Sequence, residues 1–157
     1  MSRGSKVFRP EDVAESNATG YPGPYRELNT KRYARRLAEH AGLTNFGVNL
    51  VRIVPGGQSS CRHAHAVQDE MVLVLEGEIT LETDAGEEIV TPGTYIGFPK
   101  GTGDAHRFVN KSGKDVVFLV IGDRTKPDDV IYPDVDMHGH HGPDGTFIYT
   151  RKDGTPY

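Results

Sequence analysis

The sequence predicts an all-β protein, either a small closed barrel or a two-sheet jelly roll, on three observations. Val and Ile together number 22 against 8 Leu, and Gly plus Pro make 29 of the 157 residues. Branched side chains suit pleated, half-buried surfaces, while Gly and Pro supply tight turns. From Gly47 onward the apolar residues alternate with period two, and a turn signal separates each of about eight short runs. The length suits one domain able to bury a core without disulfide staples.

Residues 1–27 read as an extended arm, because Pro10, Pro22, Pro24 and the group Gly20–Pro24 forbid regular structure. Residues 28–46 predict one short helix: Asn29 or Thr30 caps it, Tyr33, Leu37 and Ala41 share a face, and Gly42 ends it. Its basic residues read as a solvated face. The barrel core follows over residues 47–122. Its expected strands are Gly47–Val54, Ser59–Ala66, Glu70–Leu75, Ile79–Thr83, Glu87–Thr91, Tyr95–Phe98, His106–Asn110 and Val116–Gly122. Residues 123–157 read as a loop-rich tail, with five aspartates between Asp123 and Asp136 and one further short strand at Phe147–Thr150. Arm and tail are expected to wrap a single domain spanning 1–157.

Bulk properties narrow the function. A formal charge of −4 and a pI near 5.9 argue against a generally basic domain built for nucleic acid. The longest apolar run, Val116–Ile121, has six residues against about 20 needed to span a bilayer. The polar stretch Met1–Glu15 does not resemble a signal peptide. The single cysteine, Cys61, cannot form an internal disulfide. A cytoplasmic protein with no membrane or nucleic-acid partner is the expectation.

The histidines carry the chemistry. His63 and His65 lie two residues apart, so in a strand they face the same side, and Glu70 opens the next strand. Two imidazoles and a carboxylate on one barrel face are costly without a common partner. A divalent transition metal supplies one, and this donor set suits Fe, Mn, Zn, Ni, Co or Cu.

At this point the sequence resembles the cupin superfamily. Gly57, His63, His65, Glu70 and Gly77 match the first cupin motif at every signature position. Gly93, Pro99, Gly101, His106 and Asn110 match the second, except that four residues, Thr102–Ala105, stand between Gly101 and His106 where the usual pattern has two. The resemblance covers about residues 47–122. It implies a double-stranded β-helix, the cupin jelly-roll barrel, with His63, His65, Glu70 and His106 as metal ligands at its mouth. The stretches Thr44–Leu50 and Tyr132–Asp136 also look like small bacterial cupins, some of which carry sugar-phosphate isomerase labels. That is an association, since fold alone does not define activity.

Other polar residues are weaker candidates. Arg52 interrupts an apolar strand and could clamp an anionic substrate, as could Lys100 on the loop before His106, with Asp104 nearby. Tyr95 is a candidate proton donor, and Glu70 or Tyr95 a candidate base. Cys61 shares the parity of His63 but reads as a small buried residue. Arg107 faces away from the metal, and His138, His140 and His141 read as surface residues. There is no phosphate-binding loop ahead of a helix and no nucleophile elbow.

The expected function is therefore a metal-dependent enzyme for a small, polar, oxygen-rich substrate. The metal would act as a Lewis acid, as in a sugar-phosphate isomerase. An Fe(II)-dependent dioxygenase and a non-catalytic binding or sensor cupin remain alternatives on sequence grounds. A homodimer is expected, because an arm of about 27 residues left on one barrel would lose entropy for little burial.

Overall fold

Alternation along β2 (Phe46–Ile53) sets the inside of the barrel: Gly47, Val51 and Ile53 are buried, and Val48, Leu50 and Arg52 lie on the opposite face. In this computed structural model, which describes residues 4–157, β2 is flanked by β1 (Arg32–Arg36) and β9 (Val116–Asp123). With β4 (Glu70–Glu76) and β7 (Tyr95–Phe98) these form a five-stranded sheet in the order β1-β2-β9-β4-β7. Its pairings are all antiparallel, with Val51 opposite Ala34 on one side and Phe118 on the other.

A second sheet holds β5 (Ile79–Thr83) between β6 (Gly86–Val90) and β8 (Arg107–Val109). The main core lies between these two sheets, where Val51, Ile53, Val72, Val74, Ile79, Leu81, Phe108, Val116 and Phe118 are buried together. The rings of Phe108 and Phe118 sit 5.3 Å apart across it. Each such side chain contributes roughly 1.5–3 kcal/mol on burial. This is the all-β jelly roll that the alternation predicts.

Two motif glycines are required by space. At Gly77, where β4 turns into β5, φ is +74° and an added Cβ would stand 2.8 Å from the Asp115 carbonyl. At Gly57 a Cβ would stand 2.8 Å from both Ile53 and Lys31 side-chain carbons. The motif's Asn110 is also structural. Fully buried, it donates to the carbonyls of Ile53 and Lys114 at 2.8 Å and accepts from the Ser112 backbone N–H at 3.0 Å.

Three expectations are corrected. The predicted helix over Asn29–Gly42 splits: Arg32–Arg36 is strand β1, and only α2 (Leu37–Ala41) is helical, after a single turn α1 (Gly23–Arg26). The open edge of β2 offers a five-residue hydrogen-bonded register from Arg32↔Ile53 to Arg36↔Asn49, which outweighs a weak helical preference. The expected strand Ser59–Ala66 shrinks to β3 (Ala64–His65), with isolated bridges Gln58↔Val109 and His63↔His106 holding the remainder.

The tail carries three strands rather than the one expected. β10 (Asp129–Tyr132), β11 (Met137–His141) and β12 (Phe147–Thr150) form a third sheet with β3, in the order β12-β11-β10-β3. The arm finds its burial within the chain: Ser16 bridges to Ala34, Glu15 pairs with Arg52 at 2.7 Å, and Val13 and Tyr21 are buried. Tyr21 joins Cys61, Val130, Tyr132 and Met137 in a second apolar cluster. Residues 1–3 of the predicted arm lie outside the described residues. Among the described residues no helix is long and apolar enough to cross a membrane.

Candidate metal centre

The His63↔His106 bridge builds the site from the backbone. The two residues exchange N–H···O bonds of 3.1 and 2.9 Å, which sets their rings 4.8 Å apart. Glu70, the first residue of β4, stands opposite Phe98 of β7, and Phe98 stacks flat on His106 with ring centres 3.5 Å apart. One donor atom from each of His63, Glu70 and His106 falls within 4.8 Å of the others.

Each donor is held in a ligand-ready form. His63 Nδ1 lies 3.0 Å from the Cys61 carbonyl oxygen, a contact that orients the ring and leaves Nε2 available. Burial, reinforced by neighbouring His106, pushes the His63 pKa down to about 4, so the imidazole is neutral near pH 7. For Glu70, burial pushes the pKa up, but the hydrogen bond from His106 and the nearby imidazoles outweigh it, and the carboxylate form is favoured. His106, 3% exposed, donates from Nε2 to Glu70 Oε1 at 3.2 Å, while its Nδ1 is buried without a partner among the described residues. A cation would replace the proton shared between His106 and Glu70. Two imidazoles and one carboxylate thus fit a divalent transition ion.

His65 stands beside this trio, its ring 5.0 Å from that of His63. Its Nδ1 is bound to Asp128 Oδ2 at 2.5 Å, and Asp128 Oδ1 accepts from the Val67 backbone N–H at 2.9 Å. Asp128 is 3% exposed. This carboxylate fixes the ring and leaves only Nε2 of His65 for a ligand.

The trio opens into a cavity of about 290 Å³ whose wall also includes Tyr21, Asn29, Arg32, Arg36, Ser59, Ser60 and Tyr149. The other sequence candidates lie elsewhere. Arg52 projects from the outer face of β2, where it pairs with Glu15 and Asp115 and covers the Tyr33 ring. Tyr95 is 69% exposed, on the face of β7 opposite to that of Ile96 and its partner Val72. Lys100 is exposed, and its backbone N–H donates to Asp69. None of the three lines the cavity. Asp104 accepts from the Asp84 backbone N–H, and Arg107 pairs with Glu82. Cys61 is buried beside Tyr21, with burial pushing its thiol pKa up. On β11, His138 contacts Asp129 at 2.8 Å and His141 accepts from the Asp128 backbone N–H at 3.0 Å.

Residues 49–122 match the family described as Cupin domain. A crystal structure from Silicibacter pomeroyi, named as a sugar phosphate isomerase from a cupin superfamily, is 39% identical. It aligns over 97% of this chain and 96% of its own, with a TM-score of 0.91. The chain belongs to the cupin superfamily. A protein of Acidithiobacillus ferrooxidans with a provisional sugar phosphate isomerase name is 30% identical to this cupin, covering 83% of each chain at a TM-score of 0.73. The polyketide cyclase RemF of Streptomyces resistomycificus is 28% identical over 78% of this cupin and 82% of its own chain, at a TM-score of 0.65. No curated protein matches this cupin.

Sequence reasoning missed Arg32, Arg36, Asn29, Tyr21, Tyr149 and Asp128. The alternation Arg32-Ala34-Arg36 was the available signal for the two arginines, had the segment been read with period two. Asp128 had no signal, being one of five similar aspartates in its stretch.

Proposed function

We propose that this cupin is a metal-dependent enzyme acting on a small, polar, oxygen-rich substrate, with sugar-phosphate isomerisation as the favoured reaction. The observation that carries the reading is the His63, Glu70 and His106 cluster opening into a polar-walled cavity of about 290 Å³. That volume is near the lower end of small-molecule sites, about 300 Å³. The name of the Silicibacter pomeroyi relative, aligned along nearly the whole chain, supports the substrate class.

His63, Glu70 and His106 would hold the ion, with His65 joining through the nitrogen that Asp128 leaves open. A divalent ion supplies Lewis acidity toward a substrate carbonyl or hydroxyl oxygen. The remaining work falls to side chains. Glu70 is the carboxylate lining the cavity that, once loosened from the ion, is able to take a proton from substrate carbon or oxygen. Tyr21 and Tyr149 keep their phenol protons, because burial raises both pKa values, and so act as neutral hydrogen-bonding walls.

Elemental analysis of protein purified without an affinity tag, alongside His106→Ala, tests this reading. Zinc, manganese or nickel lost in the variant, with turnover on sugar phosphates, is the expected result. Iron together with substrate-dependent oxygen uptake would replace it with a dioxygenase. A variant that keeps its full metal content would move the site elsewhere.

A further inference from the structure

Four arginines of the barrel and its flanks pair with carboxylates. Arg52 pairs with Glu15 and Asp115, Arg62 with Asp84 and Asp134, Arg107 with Glu82, and Arg124 with Glu39. Arg32 and Arg36 do not: neither guanidinium has a hydrogen-bond or carboxylate partner among the described residues, and both line the cavity of the metal centre. Their placement follows from β1. Arg32, Ala34 and Arg36 share one face, on which Ala34 packs into the main core. Tyr33 and Arg35 take the other face, where Arg35 donates to the Val13 carbonyl.

Arg32 is half-buried and Arg36 is exposed. A guanidinium stays charged, and leaving it buried without a counter-charge is costly. Burial accordingly pulls the Arg32 pKa below its ordinary value, against the opposing pull of Tyr21 and Glu70. Glu70 attracts Arg32 across the cavity without forming an ion pair with it, and one of its carboxylate oxygens is engaged by His106. Asn29 adds a third polar group to this wall, with a buried Oδ1 that has no partner among the described residues.

We propose that Arg32 and Arg36 form an oxyanion subsite that holds the phosphoryl group of the substrate, with Asn29 accepting from a neighbouring substrate hydroxyl. Two guanidinium groups match the dianionic charge and several acceptor oxygens of a phosphate monoester better than the single charge of a carboxylate. The substrate then spans the cavity, its phosphoryl end on β1 and its reacting carbonyl or hydroxyl end at His63, Glu70 and His106. This deepens the proposed function and rests on it only in taking this cavity as the substrate site.

Calorimetric titration of the metal-free, full-length protein with inorganic phosphate tests the subsite, with acetate as the carboxylate probe. Saturable phosphate binding is expected, weakened at least about tenfold by Arg32→Gln and roughly two- to fivefold by Arg36→Gln. Arg32→Lys should retain an intermediate affinity, and it carries the test should Arg32→Gln fail to fold. Acetate should bind more weakly than phosphate. Phosphate affinity unchanged in the folded arginine variants, absent in the parent protein, or matched by acetate would overturn the assignment. Metal-ion titrations separate this inference from the metal reading. Arg32-dependent phosphate binding in a protein that takes up none of zinc, manganese, nickel or iron would keep the subsite and remove the metal centre. Zinc uptake lost in His106→Ala, with phosphate binding insensitive to Arg32, would do the reverse.

Discussion

The barrel core over 47–122 and the segments flanking it divide the pocket between them. The core supplies His63, Glu70 and His106 from strand ends and a backbone bridge. The arm, β1 and the tail supply Tyr21, Asn29, Arg32, Arg36 and Tyr149 around the same cavity, and Asp128 behind His65. The two regions share both apolar clusters, Ala34 of β1 joining Phe108 and Phe118, and Cys61 of the core joining Tyr132 and Met137. A family motif can therefore persist in the core while the flanks change which molecule fits.

The largest expected effect on this comparison comes from Phe118→Ala, which opens a cavity between the two barrel sheets. It should cost about 3–5 kcal/mol by denaturant unfolding. A loss no greater than that of a typical surface substitution would mean that the core is not where stability resides. Next in size is Asp128→Asn, which removes the flank's hold on His65. Zinc affinity should fall about 10- to 100-fold by competition with a chelator, while the melting temperature changes little. Unchanged affinity would confine the metal centre to His63, Glu70 and His106, and the tail would then be only a wall.

The smallest effect concerns acid stability of the metal-free protein, since His63 keeps part of its surface accessible. Its folded pKa of about 4 lies below the ordinary value of 6.5, so between those pH values the unfolded chain binds more protons. Stability should decline as pH falls from about 6.5 toward 4, and His63→Gln should flatten that decline. Thermal melts across this range check the sign, and a parent protein that gains stability on acidification would show that His63 is not buried as a neutral ring.

Much of the core was legible because its constraints are local. Period-two alternation marked the barrel strands, and Gly57 and Gly77 occupy positions where a Cβ would collide with neighbouring atoms. The loop lengthened by Thr102–Ala105 did not displace His106, because its backbone bridges His63 directly. The segment around Arg32 was ambiguous, since Tyr33, Leu37 and Ala41 satisfy a helical period while Arg32, Ala34 and Arg36 satisfy a strand period. Arg52, nominated as a substrate clamp, sits across from Tyr33 on the outer face instead. Which arginine enters the pocket depends on the parity of a strand that sequence periodicity did not reveal.

By itself, then, the sequence determined the all-β class, the cupin resemblance and the spacing of the histidines and Glu70, because alternation and turn chemistry act over a few residues. Only the tertiary structure decided that β1 docks on the edge of β2, that the tail forms a sheet on β3, and that Asp128 reaches His65 from 63 residues away. Those outcomes depend on unpaired strand edges and on charges brought together across long stretches of chain. No local pattern encodes them, because the groups that satisfy one another meet only after the barrel has closed.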